Sequence, residues 1–409
     1  MRKIQFALKI LFVFVLLTSL TGNVSAAPPA PRAEWTVMVY ISGDNDLEYS
    51  VVSDIETELA PTGSTDDVQV VALADRIPGY DTSAGDWTET LFFHVADVNG
   101  KDMTADPANA DADWDAQHED ELDMGDPQTL IDFVTWTKAR YPADHYALYF
   151  WGHGWNWHPD WVMRDDTTAL TNPDDTLDYD EMKSAIPSLG FIDVVGYDGC
   201  NMSSIEIFNL WHGHATAVTS SQEWVGWEGI QYDDLLAKLA AHPTWNADQV
   251  AIVTAQGASA DKTWSAVAVD GRLDTLLTAV DEWSVALKDG LAANRRKYDQ
   301  AFTATRSFWK APMDKDLYDM AFEIKRLVSD GTIRDKSQAV MDAFSGVVLY
   351  ERHVNAYAEV HGITIYHISK ATEKDSDYQY YQQFVDDFAL QTGWDEFLDA
   401  YAGGTNAKR

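Results

Sequence analysis

The chain has 409 residues, 46% of them hydrophobic and 12% aromatic, which excludes a chain disordered throughout and leaves enough apolar material for a large core. Its 66 acidic residues against 29 basic ones give a formal charge of −37, which excludes nucleic acid as a partner and favours cationic groups. One cysteine excludes an internal disulfide, so the fold must rest on its core and the free thiol needs another explanation.

Taken in chain order, residues 1–26 read as an export signal. Arg2, Lys3 and Lys9 precede the apolar residues 10–17, and Val24-Ser-Ala26 offers the small side chains a signal peptidase takes. That stretch is too short to span a membrane, and no later segment reaches about 18 apolar residues. A secreted chain with no stable membrane association after signal cleavage is therefore expected. A Pro-rich leader, residues 27–33, follows. Residues 35–41 form a continuous apolar strand, a helix starts near Asp46, and residues 68–74 form a second strand, an order that implies a parallel pair. Residues 88–98 alternate like an edge strand. Residues 99–126 are rich in Asp and Ala and read as a solvated surface insertion; they lack the regular Asp-x-Asp-x-Asp-Gly loop of a calcium site.

Pro127 opens a helix whose period, through Leu130, Phe133, Val134 and Trp136, runs to Tyr141. An apolar strand then ends at Gly152-His-Gly154. Asp178 caps a helix to Leu189, and the next strand ends at Gly199-Cys200. A helix over 201–211, a strand over 215–220 and a loop with Gly and Trp over 221–232 follow. Strands alternating with helices make a doubly wound α/β fold with a mostly parallel sheet. Beyond about residue 285 the pattern is largely helical, with added strands near 346–350 and 362–366.

In such a sheet the crevice lies outside the carboxyl ends of the strands, so His153 and Cys200 should face each other. A lone cysteine is more often a small buried hydrophobe, but beside an imidazole and a helix N-terminus a thiol becomes a nucleophile. The helix from 201 would supply that positive potential, and His153 would act as general acid and base. The backbone N–H groups of Gly154 and Cys200 are candidate oxyanion donors, worth about 3 kcal/mol each. His145, His158, His212 and His214 lack paired zinc-ligand spacing and read as structural or surface groups.

Several islands in one order carry a resemblance: Gly43-Asp-Asn-Asp-Leu47, Met124-Gly-Asp-Pro-Gln-Thr-Leu130, residues 141–148, Trp151-Gly-His-Gly154, Asp165-Asp-Thr167 and Gly196-Tyr-Asp-Gly-Cys-Asn-Met202. Weaker matches continue through 264–267, 316–319 and 362–366. Together they resemble the clostripain family of cysteine peptidases. The resemblance implies a caspase-hemoglobinase-like sheet flanked by helices, a peptidase domain over 34–285 and a C-terminal helical region over 286–409. It also implies endopeptidase cleavage after Arg or Lys through a His153–Cys200 dyad and a thioester acyl-enzyme, on protein or peptide substrates. Asp198, two positions before the nucleophile, maps to the acid that shapes a basic-specific S1 pocket. Its second acid has no certain match; Glu228 is the first choice, ahead of Asp233 and Asp234. Members are often cut in the loop after the histidine, where the only basic residues before Cys200 are Arg164 and Lys183. Lys183 lies in an expected helix, which leaves Arg164 as the processing point. The chemistry requires no cofactor. Some relatives depend on calcium, and the acidic stretches offer oxygen ligands without spacing that picks out a site.

Two other classes remain open on sequence alone. Abundant carboxylates and 16 Trp suit a secreted glycoside hydrolase, and a non-catalytic binding protein on the same fold is the third reading. Thiol alkylation separates them, because it stops only the peptidase.

Overall fold

A computed structural model describes residues 32–96, 101–158, 162–169, 175–259, 262–368 and 376–403. The expected export signal, residues 1–26, and most of the leader lie outside them. The central sheet has eight strands: β1 (Ala33–Gly43), β2 (Val68–Arg76), β3 (Leu91–His94), β4 (Ala143–Trp151), β5 (Ile192–Asp198), β6 (Ala215–Ser220), β7 (Thr263–Ala268) and, after two short strands, β10 (Val348–His353). Their order is β10-β7-β6-β5-β4-β1-β2-β3. The five middle strands, β6 to β2, are parallel, while β3, β7 and β10 pair antiparallel at the edges. The sequence reading of a mostly parallel sheet therefore stands.

The continuous apolar run of β1 has a direct cause. Met38 and Tyr40 pack into the core on one face, and Trp35, Val37, Val39 and Ile41 into the core on the other. A strand covered on both faces needs no polar alternation. Helices Pro127–Arg140, Tyr179–Leu189 and Leu273–Ala304 bury one face; helices Tyr232–Ala241 and Ala247–Gly257 bury the other. Asp178 and Glu181 form a reciprocal capping box, as the sequence suggested for Asp178. The expected boundary near 285 falls within the unbroken helix Leu273–Ala304.

The solvated-insertion reading of 99–126 needs correction among its described residues. Trp114 is 1% exposed, stacks on Phe92 at 5.3 Å and sits on a short helix, Ala112–Asp115, capped by Asp111. Its aromatic area, absent from the Asp-Ala composition around it, anchors the segment to the sheet.

A three-stranded antiparallel sheet, β8 (Ser307–Phe308), β9 (Ala311–Asp316) and β11 (Thr364–Tyr366), lies in the C-terminal region. It braces the end of the central sheet. Thr364 N–H donates to Ser203 O at 2.9 Å, and Ser203 Oγ donates to Gly362 O at 2.7 Å. Gln222 Nε2 donates to Asp316 at 3.0 Å, while its Oε1 accepts Gly362 N–H at 2.7 Å. Buried Glu206 accepts Tyr366 N–H at 2.9 Å.

Several desolvated acids have no ion-pair partner among the described residues. Burial pushes Glu206 up to about 8, and Asp314 and Glu58 up to about 7. The folded chain thus holds protons that the unfolded chain releases near pH 4, so this contribution is full below pH 4 and fades as pH rises through 7–8. Self-repulsion of the acidic surface grows in the same direction. The melting temperature of the Cys200→Ala chain in EDTA should be higher at pH 5 than at pH 8.5, measured by differential scanning fluorimetry. A higher value at pH 8.5 would contradict this account.

Candidate active site

β4 and β5 are neighbours, with Trp151 in register with Asp198, so the turns that follow them meet at the sheet's carboxyl edge. Gly152 N–H donates to Asp198 O at 3.2 Å. A Cβ on Gly154 would lie 2.8 Å from Cys200 O and 3.0 Å from Cys200 N, so only glycine lets these two backbones pack. The result brings His153, Gly154 and Cys200 together. His153 and Cys200 line two adjoining hollows, one continuing past Leu47, Asp54, Asp198 and Glu228, the other past Asp46, Trp155, Trp309 and Lys310. Trp224 borders both.

The helix expected from 201 begins instead at Ile205, with Ser204 as its N-cap. Asn201 takes the left-handed conformation, φ 59°, and its side chain donates to Gln222 O at 3.0 Å. Cys200 thus sits on a turn rather than at a helix N-terminus, and the anticipated dipole does not reach it. Among the described residues no charge compensates: burial pushes the thiol up to about 11, and Asp198 and Glu223 add to the effect. The Val225 N–H and Lys310 pull the other way without prevailing. In the resting protein, Cys200 is a thiol.

His153 is held by a residue the sequence reading did not single out. Its Nε2 lies 2.7 Å from Asp46 Oδ1. Burial pushes Asp46 up, but the hydrogen bond and charge of His153 outweigh it and leave the carboxyl below its ordinary range. Asp46 belongs to the Gly43-Asp-Asn-Asp-Leu47 motif at the exit of β1, next to β4. The motif was visible; the adjacency of β1 and β4 was not.

The floor of the first hollow is acidic. Asp198 is buried, accepts Ile230 N–H at 3.0 Å, and is pushed up to about 8 by burial, with Asp54 and Glu58 contributing. Gly229, at φ 42°, brings its backbone so near that a Cβ would stand 2.3 Å from Asp198 Oδ1. Asp54 shares this hollow, accepts Trp151 Nε1–H at 2.8 Å and is pushed up to about 6 by burial. Glu58, one helical turn on, accepts Tyr232 N–H at 3.0 Å. Glu228 also lines the hollow but is exposed at its rim, and its backbone carbonyl accepts Gln231 Nε2–H. Asp233 and Asp234 lie in the first turn of the helix Tyr232–Ala241 and do not line it. Asp54 is the pocket acid that sequence order concealed, since it comes from the segment after β1.

Arg164 lines neither hollow and lies on a segment docked against the β1 exit. Its carbonyl accepts Ser42 Oγ–H at 2.9 Å and Asn45 Nδ2–H at 2.8 Å, and its guanidinium pairs with Asp166. Of the histidines set aside earlier, His145 bonds Asp193 at 2.8 Å, His212 pairs with Asp274 at 3.2 Å, and His158 is buried against Trp157. Among the described residues the one group of three or more metal-capable side chains is Asp44, Asp75 and Asp165, which contains no histidine.

The sequence pattern of the Clostripain family matches residues 39–401. Clostripain from Hathewaya histolytica is 26% identical over 223 residues, half of this chain; the match spans 42% of that relative's length. Two solved structures share the fold. A secreted C11 cysteine protease from Bacteroides thetaiotaomicron, in complex with an irreversible peptide inhibitor, superimposes with a TM-score of 0.67 at 16% identity, covering 89% of this chain and 100% of that one. An inactive zymogen C11 protease from Parabacteroides distasonis gives 0.63 at 15% identity, covering 88% and 98%.

Proposed function

Because the chain belongs to the clostripain family, and is therefore a cysteine endopeptidase, we propose that it cuts peptide bonds after Arg or Lys with Cys200 as nucleophile and His153 as its proton partner. The observation that carries this reading is the single hollow lined by His153, Cys200 and the buried acid Asp198. With Nε2 engaged by Asp46, Nδ1 is the nitrogen we assign to proton exchange. The thiol gives its proton to the imidazole as sulfur attacks the scissile carbonyl, and the imidazolium returns that proton to the leaving amine. The thioester is then hydrolysed by water activated on the same imidazole. Gly154 and Cys200 N–H groups face the developing oxyanion in this scheme.

A cationic P1 side chain entering the first hollow meets Asp198 and Asp54. Its charge displaces the proton that burial keeps on Asp198 and supplies the counter-charge the pocket lacks. Glu228 receives the outer part of the same chain. Exposed Trp224, Trp227 and Trp309 flank the cleft and supply apolar area for neighbouring residues of the substrate. In this reading residues 34–285 carry the chemistry, and residues 286–409 brace the Cys200 turn through Ser203 and Gln222. Secretion, implied by residues 1–26, belongs to the same proposal, as does self-processing after Arg164. Cleavage there requires the 164–167 segment to undock, breaking both hydrogen bonds to the Arg164 carbonyl. Peptides varied at P1, offered to wild type and Cys200→Ala, test the proposal; cleavage by the alanine chain, or cleavage indifferent to P1, overturns it.

Asp46→Asn provides a further prediction. The amide keeps the shape but not the charge that holds His153, and Asp46 is solvent-facing enough for water to compensate partly. We expect kcat to fall roughly tenfold to a hundredfold with KM nearly unchanged. An unchanged kcat would remove Asp46 from the mechanism.

A further inference from the structure

The second hollow beside Cys200 has a cation on its wall. Among the described residues Lys310 is the one lysine or arginine that lines it, in a chain with 66 acidic residues against 29 basic ones. The hollow's one acid, Asp46, is engaged by His153 at 2.7 Å. The Lys310 ammonium has no ion-pair partner among the described residues and lies 4.6 Å from the centre of the Trp309 ring. Lys262 adds a second ammonium, 5.5 Å from the centre of the Trp224 ring on the hollow's border.

The backbone holds Lys310 in this place. With Trp309 it forms the two-residue turn between β8 and β9, where Phe308 pairs with Ala311. Its φ of 58° is a left-handed conformation that glycine or asparagine adopts at lower cost, and a role for the side chain explains why a lysine stands there. Glu223 ties the turn to Cys200. Its buried carboxylate accepts Trp309 N–H at 3.2 Å and Trp224 N–H at 2.9 Å, and its carbonyl accepts Asn201 N–H at 3.2 Å. The Trp224 and Trp309 rings meet at 5.4 Å. Burial raises the Cys200 thiol, and the Lys310 charge is near enough to draw it back in part.

In an extended peptide consecutive side chains project to opposite faces. With the P1 side chain in the hollow floored by Asp198, its two neighbours, P2 and P1′, turn away from that hollow, and the adjoining space at Cys200 is the second one. Resting on the peptidase reading, we propose that the second hollow is a subsite for an acidic side chain, Asp or Glu, adjacent to P1. Its carboxylate pairs with Lys310, and its stem packs on Trp224 and Trp309. The two hollows then read a pair of opposite charges instead of one basic residue. Elsewhere on so acidic a surface a substrate carboxylate is repelled, which confines the preference to this position.

Peptides with Arg at P1 and either Glu or Gln at P2, P1′ or P4 test the subsite. The kcat/KM should be roughly threefold to tenfold higher with Glu than with Gln at P2 or P1′, with no gain at P4, and the preference should shrink as NaCl rises from about 20 to about 500 mM. In Lys310→Gln the ratio should fall to one or below, and in Lys310→Glu it should invert. Comparing ratios within each variant cancels any effect of Lys310 on the thiol. The same Glu and Gln pairs, titrated onto the whole chain carrying Cys200→Ala by fluorescence anisotropy, read the preference without turnover. Absence of a Glu preference at P2 and at P1′, in cleavage and in binding alike, overturns the proposal, as does a preference that both Lys310 variants retain. No cleavage after Arg, beside a Glu preference preserved in the Cys200→Ala titration, strikes the peptidase reading and leaves the subsite standing.

Discussion

Cys200→Ala is expected to lower peptide cleavage by roughly four orders of magnitude or more, leaving the fold and peptide binding in place. The size of the effect follows from having no second nucleophile: Cys200 is the one thiol in the chain. His153→Ala should lose nearly as much, and the double variant little more, because a thiol pushed up to about 11 attacks only when the imidazole removes its proton. Alkylation with iodoacetamide should therefore be slow in the resting enzyme and should titrate activity to zero at one equivalent per chain. Intact-mass analysis of the same samples reads processing, with fragments ending at Arg164 expected in wild type and absent from Cys200→Ala. Cleavage that survives both alkylation and the alanine substitution would end the cysteine mechanism.

The second large effect is expected from Asp198→Asn. Removing the buried carboxylate leaves a cationic P1 group desolvated without its partner, and kcat/KM for Arg and Lys substrates should fall roughly 10²–10³-fold. Substrates with neutral P1 groups should be much less affected, so selectivity collapses rather than activity alone. Asp54→Asn should give the same pattern at about a tenth of the size, since Asp54 keeps a hydrogen bond to Trp151 and leaves Asp198 in place. The pH dependence has a definite sign. Asp198 is pushed up to about 8, a cationic side chain binds its ionised form, and affinity for basic P1 groups should therefore rise between pH 6 and 8 and level off above. Asp198→Asn should flatten that rise. Equal losses for basic and neutral substrates would remove Asp198 from the S1 pocket.

How much of this was legible in the sequence depended on whether the signal was local. Continuous apolar runs ending in Gly152-His153-Gly154 and Gly199-Cys200 announced strand ends, and a parallel sheet makes neighbouring strand ends converge. Strand order was a different matter. That β1 lies between β4 and β2 determines that Asp46 meets His153, that Asp54 and Asp198 line one hollow, and that Asp44 and Asp75 come together beside Asp165. No spacing within the chain encodes those encounters. The helix after Cys200 was placed four residues early because Asn201 through Ser204 are compatible with helix until the cap is seen: Ser204 accepts Ile207 N–H, and Asn201 adopts a left-handed turn. Trp114 was hidden by its acidic neighbours, whose composition dominated the reading of that segment.

Oxidation gives the solitary sulfur a separate importance. A sulfenic acid formed at Cys200 by peroxide has no resolving thiol within the chain to trap it as a disulfide, so further oxidation to sulfinic acid competes only with small thiols from solution. Burial of this group counters that loss: it keeps the reactive anion scarce while the cleft is empty, so the idle sulfur meets oxidant mostly as the less reactive thiol.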